Sequence, residues 1–343
     1  MDDRNVRPIP LTTNDQASPE PDNIVVSEHG AYLIDFSIGI CLTPEPGLTR
    51  ATKVGEKETN MTWPVRAVEF GSLPRDPDRD APLVDVRVPT RTRQEIVLSP
   101  TLERKLDRVE SEMRFAPKFA RQGLAPKSRL LFVGPPGCGK TLCAEIIAAD
   151  LDLTLVYARF DGIVSSYLGE TASNLRRVFG YAAQSPSLLF FDEFDALGKR
   201  RDDAQDVGEL KRVVSSFLQI LDSYPRDKLV IAATNHEGLL DPALWRRFDE
   251  VLHFKKPTPS QLARLIELRL RSVRRAPIDV SALSAKMRGF TFADAERVCF
   301  EATKSMMLAG TREVTQELLL EELAEQKARV QLAHGRAAAK RQA

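Results

Sequence analysis

The chain has 343 residues, 43% hydrophobic and 28% charged, which suits two or three domains with buried cores and a soluble surface. Its 49 Lys and Arg nearly cancel 48 Asp and Glu, so no global field draws polyanions, and a dedicated nucleic-acid binder is disfavoured. No apolar run nears the ~18–20 residues of a membrane span, and the start MDDRNVRPIP lacks a secretory pattern. Cys41, Cys138, Cys143 and Cys299 are too scattered for a disulfide framework, so a cytoplasmic protein is expected.

Residues 1–22 are polar and broken by Pro8, Pro10, Pro19 and Pro21, and disorder is expected there. Residues 23–98 form a second region. Ile24-Val25-Val26, Gly30 and Tyr32-Leu33-Ile34 suggest a short hairpin, after which Pro44, Pro46, Pro64, Pro74, Pro77 and Pro82 forbid long helices. A small β-containing module and a partly ordered arm both fit. At Ser99 the texture changes: an N-cap and Pro100 precede Leu102, Leu106, Val109 and Met113 at helical spacing, up to about Pro117.

Apolar strands then alternate with helical stretches: Leu130–Val133, Leu153–Ala158, Leu188–Asp192, Leu229–Thr234 and Val251–Phe254. Such alternation predicts an α/β domain over 99–257, with a parallel sheet covered on both faces. Beyond residue 258 the strands stop, and Leu262–Leu270, Ala295–Met307 and Leu318–Val330 predict a small all-helical domain over 258–330. Past Glu325 the bases Lys327, Arg329, Arg336, Lys340 and Arg341 meet no acid, so a fraying basic tail, 331–343, is expected.

Gly134-Pro135-Pro136-Gly137-Cys138-Gly139-Lys140-Thr141 fits G-x-x-x-x-G-K-[ST] between a strand and a helix, the context in which that pattern cradles phosphates. Glycines let backbone N–H groups approach the anion, Lys140 brings a charge to the β- and γ-phosphates, and Thr141 offers its hydroxyl to Mg²⁺. Pro136, Gly137, Cys138, Gly139, Lys140, Thr141 and Leu142 are therefore the expected nucleotide-binding set. At the helix N-terminus Cys138 has either a lowered thiol pKa or the bland role of filling a small space. After the apolar run Leu188–Phe191 come Asp192, a second Mg²⁺ ligand through water, and Glu193, the base that polarises the attacking water. A pair able to position water predicts ATP hydrolysis rather than a passive nucleotide switch.

With both motifs in place, residues 101–325 resemble the AAA family of AAA+ ATPases. Asp192-Glu193-Phe194-Asp195 is similar to its second acidic motif, and Ala233-Thr234-Asn235 to its sensor-1 segment. Leu240–Asp249 resembles its arginine-finger segment and Gly289–Asp294 the start of its sensor-2 helix. The resemblance implies a P-loop sheet of order 5-1-4-3-2, a C-terminal helical lid, and rings, usually hexameric, with ATP and Mg²⁺ between subunits. It implies that Asn235 orients the lytic water, that Arg246 and Arg247 act on the neighbour's ATP, and that adenine lies near Gly123 and Leu124. Many relatives have two residues between the arginines; here there are none, and the primary finger is left open. Asp222 aligns with a segment for communication between subunits, although Ser replaces Gly after it. Phe292 stands where many members carry Gly.

Ser165–Thr171, placed before a helix near Ser173, resembles the first pore loop of protein unfoldases, with Tyr167 and Leu168 as the aromatic–aliphatic pair. Residues 198–208 suit either a second pore loop or a solvated connector. No fused protease is evident, so proteolysis would need a separate partner. Three functions compete: a protein remodeller whose residues 1–98 recruit substrate or adaptor, a DNA-handling motor or loader, and an ATP-dependent assembly scaffold.

Overall fold

The computed structural model describes residues 24–27, 30–35, 40–42, 72–163, 168–197, 204–236, 245–273 and 275–342. The chain divides into two units, Met1–Arg66 and Ala67–Ala343. In the first, β1 (Ile24–Ser27), β2 (Gly30–Asp35) and β3 (Ile40–Leu42) form an antiparallel sheet in that order, with Val26 opposite Ala31. The hairpin expected from the sequence is present and gains a third strand.

The second unit is built on a six-stranded sheet. Four parallel strands, β5 (Arg129–Val133), β6 (Thr154–Ala158), β7 (Ser187–Phe191) and β8 (Leu229–Thr234), are joined by parallel β9 (Glu250–His253) and by β4 (Val84–Arg87), antiparallel on β6. The order is β4-β6-β7-β8-β5-β9. Without β4 this is the expected 5-1-4-3-2 arrangement; the difference is the added edge strand. Val84–Arg87 lies in the stretch 23–98 that the sequence sets apart. Its pairing with β6, and the burial of Val97 and Leu98, tie the end of that stretch to this unit. A single short strand among prolines gives no periodicity from which to read this.

Alternation along the strands builds the two faces. Leu131 and Val133 of β5, Leu189 and Phe191 of β7, and Val230 and Ala232 of β8 enter one core. That core is closed by α5 (Leu168–Ala183) and α6 (Ala204–Ser223). Leu130, Phe132, Leu188, Phe190, Leu229 and Ile231 enter the other, closed by α1 (Pro100–Arg114) and α3 (Lys140–Asp150). The Ser99 hydroxyl caps α1 by accepting from the Leu102 N–H at 3.3 Å. A short α2 (Ala116–Ala120) follows α1, and α4 (Phe160–Ile163) follows β6.

A third core joins α7 (Pro259–Arg269), α8 (Val280–Lys286), α9 (Phe292–Leu308) and α10 (Gln316–Gln342), the helical part expected from residue 258. The Asp279 carboxylate caps α8, a helix too short to announce itself by periodicity. Helix α10 continues through the basic stretch expected to fray, where Ala337-Ala338-Ala339 are strong helix formers. Adjacent residues Val97 and Leu98 enter different cores, the first the helical one and the second that of the sheet. This strap therefore straddles the boundary between sheet and lid. Among the described residues no helix is long and apolar enough to cross a membrane.

Candidate functional site

At the C-terminal end of β5 the chain must leave the sheet against β9, and only glycine fits. A Cβ on Gly134 would lie 2.0 Å from the Phe254 carbonyl oxygen, at φ +153°. Gly139 enters α3 at φ +92°, where an added Cβ would make only an ordinary 3.6 Å contact with Ile96 Cδ1, so its requirement is conformational. Between them the loop wraps a cleft of about 360 Å³ lined by Pro136, Gly137, Gly139, Lys140, Thr141 and Leu142. The lid reaches this loop directly, through the Ala293 N–H donated to the Gly137 carbonyl at 3.1 Å.

Lys140 is buried, and its ammonium donates to the Gly134 and Pro135 carbonyls at 2.6 and 3.0 Å and to Asn235 Oδ1 at 2.7 Å. Three acceptors use its three protons. Burial holds its pKa below the usual lysine value, and nearby Asp192 opposes the shift. A phosphate chain would compete for this ammonium, and its capture would release the Asn235 amide.

Strand β7, buried throughout, delivers Asp192 and Glu193 to the same cleft. Asp192 Oδ2 accepts from Thr141 Oγ1 at 2.7 Å and from the Tyr157 hydroxyl at 3.4 Å, and Oδ1 accepts the Glu193 N–H at 2.8 Å. Burial, then Asp192, pushes the Tyr157 phenol up to about 12. Glu193 is exposed at φ +48°. It is held there between the hydrogen-bonded Asp192 and the buried Phe194, whose ring meets Phe217 at 4.9 Å. A non-glycine residue in the left-handed region costs about 1–3 kcal/mol, a strain that clusters at functional sites. Asp195, buried, accepts from Thr234 Oγ1 at 3.3 Å and from the Asn235 N–H at 3.5 Å, fixing the strand end that carries Asn235.

The far side of the cleft departs from expectation. Gly123 and Leu124 do not line it; Leu124 is exposed beyond α2. Glu95, Ile96 and Val97 of the strap, with Leu265, Arg269, Phe292 and Glu296 of the lid, line it instead. Arg269 joins the two, its Nη2 donating to the Glu95 carbonyl at 3.0 Å and its Nε to Glu296 at 2.5 Å. The strap carries no motif; its one sequence signal is its position just before the capped helix.

At Cys138 the structure chooses between the two expected roles. It is buried, it does not line the cleft, and burial raises its thiol pKa, so the small-residue role holds over the reactive one. Desolvation outweighs both the helix N-terminus and nearby Lys140.

Arg246 and Arg247 are exposed just before β9. Asp249 ties this segment to the beginning of β5, its Oδ2 accepting the Ser128 and Arg129 N–H groups at 3.0 Å. Arg247 Nε pairs with Asp222 at 2.9 Å, and the buried Arg129 reaches the same carboxylate at 3.5 Å. The phosphate loop leaves the other end of β5, so a strand length of roughly 15 Å separates the arginines from it. Tyr167 and residues 237–244 lie outside the described residues. Leu168, expected in a loop, opens α5, so the helix begins five residues before Ser173. The charged stretch 198–208 enters α6 at Ala204.

Residues 130–256 match the model of the ATPase family associated with various cellular activities (AAA). Over 238 residues the chain is 45% identical to an uncharacterized AAA family ATPase, y4kL, of Sinorhizobium fredii, covering 69% of this chain and 72% of that one. It is 36% identical to the peroxisomal ATPase pex6 of Schizosaccharomyces pombe over 61% of this chain and 23% of the relative. It is 33% identical to a proteasome-activating nucleotidase of Aeropyrum pernix over 61% and 53%. The chain thus spans most of the first relative and about half or less of the other two.

Proposed function

The chain belongs to the AAA family and hydrolyses ATP, and from that premise we propose that identical copies form a ring, of six subunits, that uses hydrolysis to unfold or remodel protein substrates. The observation that carries the ring is the placing of Arg246 and Arg247 at the opposite end of the sheet from Lys140 and Thr141. From there the guanidinium groups have no path to their own phosphate loop, whereas a neighbour's loop is accessible to them. Arg247 is tethered at Nε by Asp222, and among the described residues its terminal nitrogens have no acidic partner, so a phosphate can take them. Such a finger is worth about 10³–10⁵ in rate.

Thr141 and Asp192 fit Mg²⁺: both are hard oxygen donors, already within hydrogen-bonding distance of each other, and Mg²⁺ is held by one or two such groups together with phosphate oxygens. When bound, Mg²⁺ would neutralise charge on the phosphates. Lys140 binds the same anion, Glu193 takes a proton from the attacking water, and Asn235, released from Lys140, orients that water. Phe292, Ile96 and Val97 shield the adenosine side from solvent.

The protein substrate is inferred from the Tyr167–Leu168 pair and from relatives named as a proteasome-activating nucleotidase and a peroxisomal ATPase. Within residues 1–98, recruitment falls to the unit Met1–Arg66, since β4 and the strap belong to the ATPase unit, with a separate protease or adaptor as a further partner, in a cytoplasmic setting. The test is Tyr167→Ala: ATP turnover should remain near the parent value while processing of clients captured by Glu193→Gln in ATP is lost. Parent-rate processing by Tyr167→Ala would refute the pore reading.

A further inference from the structure

The hydroxyl of Tyr157 meets the acidic end of β7 although it belongs to neither phosphate motif. Tyr157 sits opposite Phe190 in the register of β6 and β7, two residues before Asp192, and its ring meets Phe190 edge-on at 5.5 Å. On its other side the Arg87 guanidinium of β4 lies over the ring, 5.0 Å from its centre. Arg87 is itself held by Asp85 at 2.6 Å and by Glu145 of α3 at 3.7 Å. The phenol is thus fixed between two strands and reaches into the cleft.

We propose that Tyr157 is a positioning residue for Mg²⁺-nucleotide binding, its hydroxyl orienting the Asp192 carboxylate towards the metal. Three donors then set that carboxylate: Thr141 and Tyr157 at Oδ2, and the Glu193 N–H at Oδ1. Thr141 would itself turn an oxygen lone pair to the metal, and the Glu193 N–H is fixed by its strained backbone. Of the three, Tyr157 approaches from β6, a strand outside the loop, and fixes Oδ2 independently of it. Groups that orient a metal-ligating carboxylate typically change metal affinity about 10–100-fold when removed. At 3.4 Å the lower end applies.

The inference rests on the ATPase reading and is tested with Tyr157→Phe, which keeps the ring between Phe190 and Arg87 and deletes only the hydroxyl. Fluorescent-ATP affinity is measured with EDTA and across a Mg²⁺ titration, together with ATP turnover over the same titration and a thermal melt. The expected result is EDTA affinity and melting temperature like the parent's, a half-saturating Mg²⁺ concentration raised about tenfold, and turnover recovered at high Mg²⁺. A half-saturating Mg²⁺ concentration equal to the parent's, or an equal loss of affinity in EDTA, would overturn the inference alone. A parent whose binding ignored Mg²⁺ would overturn the metal reading and the inference with it.

Discussion

Gly134 and Gly139 occupy one loop, both at positive φ, yet alanine should act differently at each. At Gly134 the new Cβ would stand 2.0 Å from the Phe254 oxygen, 2.9 Å from its carbon and 3.0 Å from its Cβ. Phe254 cannot retreat freely: its N–H donates to the Val133 carbonyl at 2.7 Å, and its buried ring packs on Phe132 at 4.9 Å. Overpacking costs about 1–3 kcal/mol, a backbone conformation reserved for glycine about 1–3 more, and a strained backbone hydrogen bond about 1. The sum is roughly 3–7 kcal/mol, a large part of the ~5–15 kcal/mol that holds a typical domain. At Gly139 the new Cβ would meet only Ile96 Cδ1 at 3.6 Å, leaving a conformational cost of about 1–2 kcal/mol. Urea unfolding without nucleotide, followed by circular dichroism, should show a lower midpoint for Gly134→Ala than for Gly139→Ala. Equal shifts, or a larger one at Gly139, would refute the argument from the β5–β9 approach.

Two further predictions concern side chains around the site. Native protein should leave Cys138 unlabelled by a small alkylating reagent for as long as it stays folded, because the thiol is buried and its pKa raised; rapid labelling seen by mass spectrometry would contradict this. Phe194→Ala should lose about 3–5 kcal/mol by emptying a fully buried aromatic site. It should also lower ATP turnover by freeing Glu193 from its strained conformation, and parent turnover in the folded variant would separate Glu193 from its support.

The parallel strands were legible because each is a short apolar run, three of them buried throughout, and the phosphate loop because glycine, lysine and threonine occur at fixed spacing after one of them. Asp192 and Glu193 were legible for the same reason: Leu188–Phe191 can only be a buried strand, and the two carboxylates after it must surface at the sheet's end. The strap Glu95–Val97 was not, since its role depends on Val97 and Leu98 entering two cores built by residues far along the chain. Tyr157 was hidden because a tyrosine in a strand reads as packing until its hydroxyl is placed beside Asp192. At Cys138 the helix N-terminus and the small space argue in opposite directions, and burial decides for the second.

The central claim is that one copy's cradle works with the next copy's arginines, and mixing two inactive variants tests it most directly. Lys140→Ala lacks the cradle but keeps both arginines; the double variant Arg246→Ala, Arg247→Ala keeps the cradle but lacks the fingers. Combined, they should regain ATP turnover that rises with protein concentration, because mixed seams unite a sound loop with a sound finger. Mixtures as inactive as either variant alone, at every ratio and concentration, would contradict the shared site.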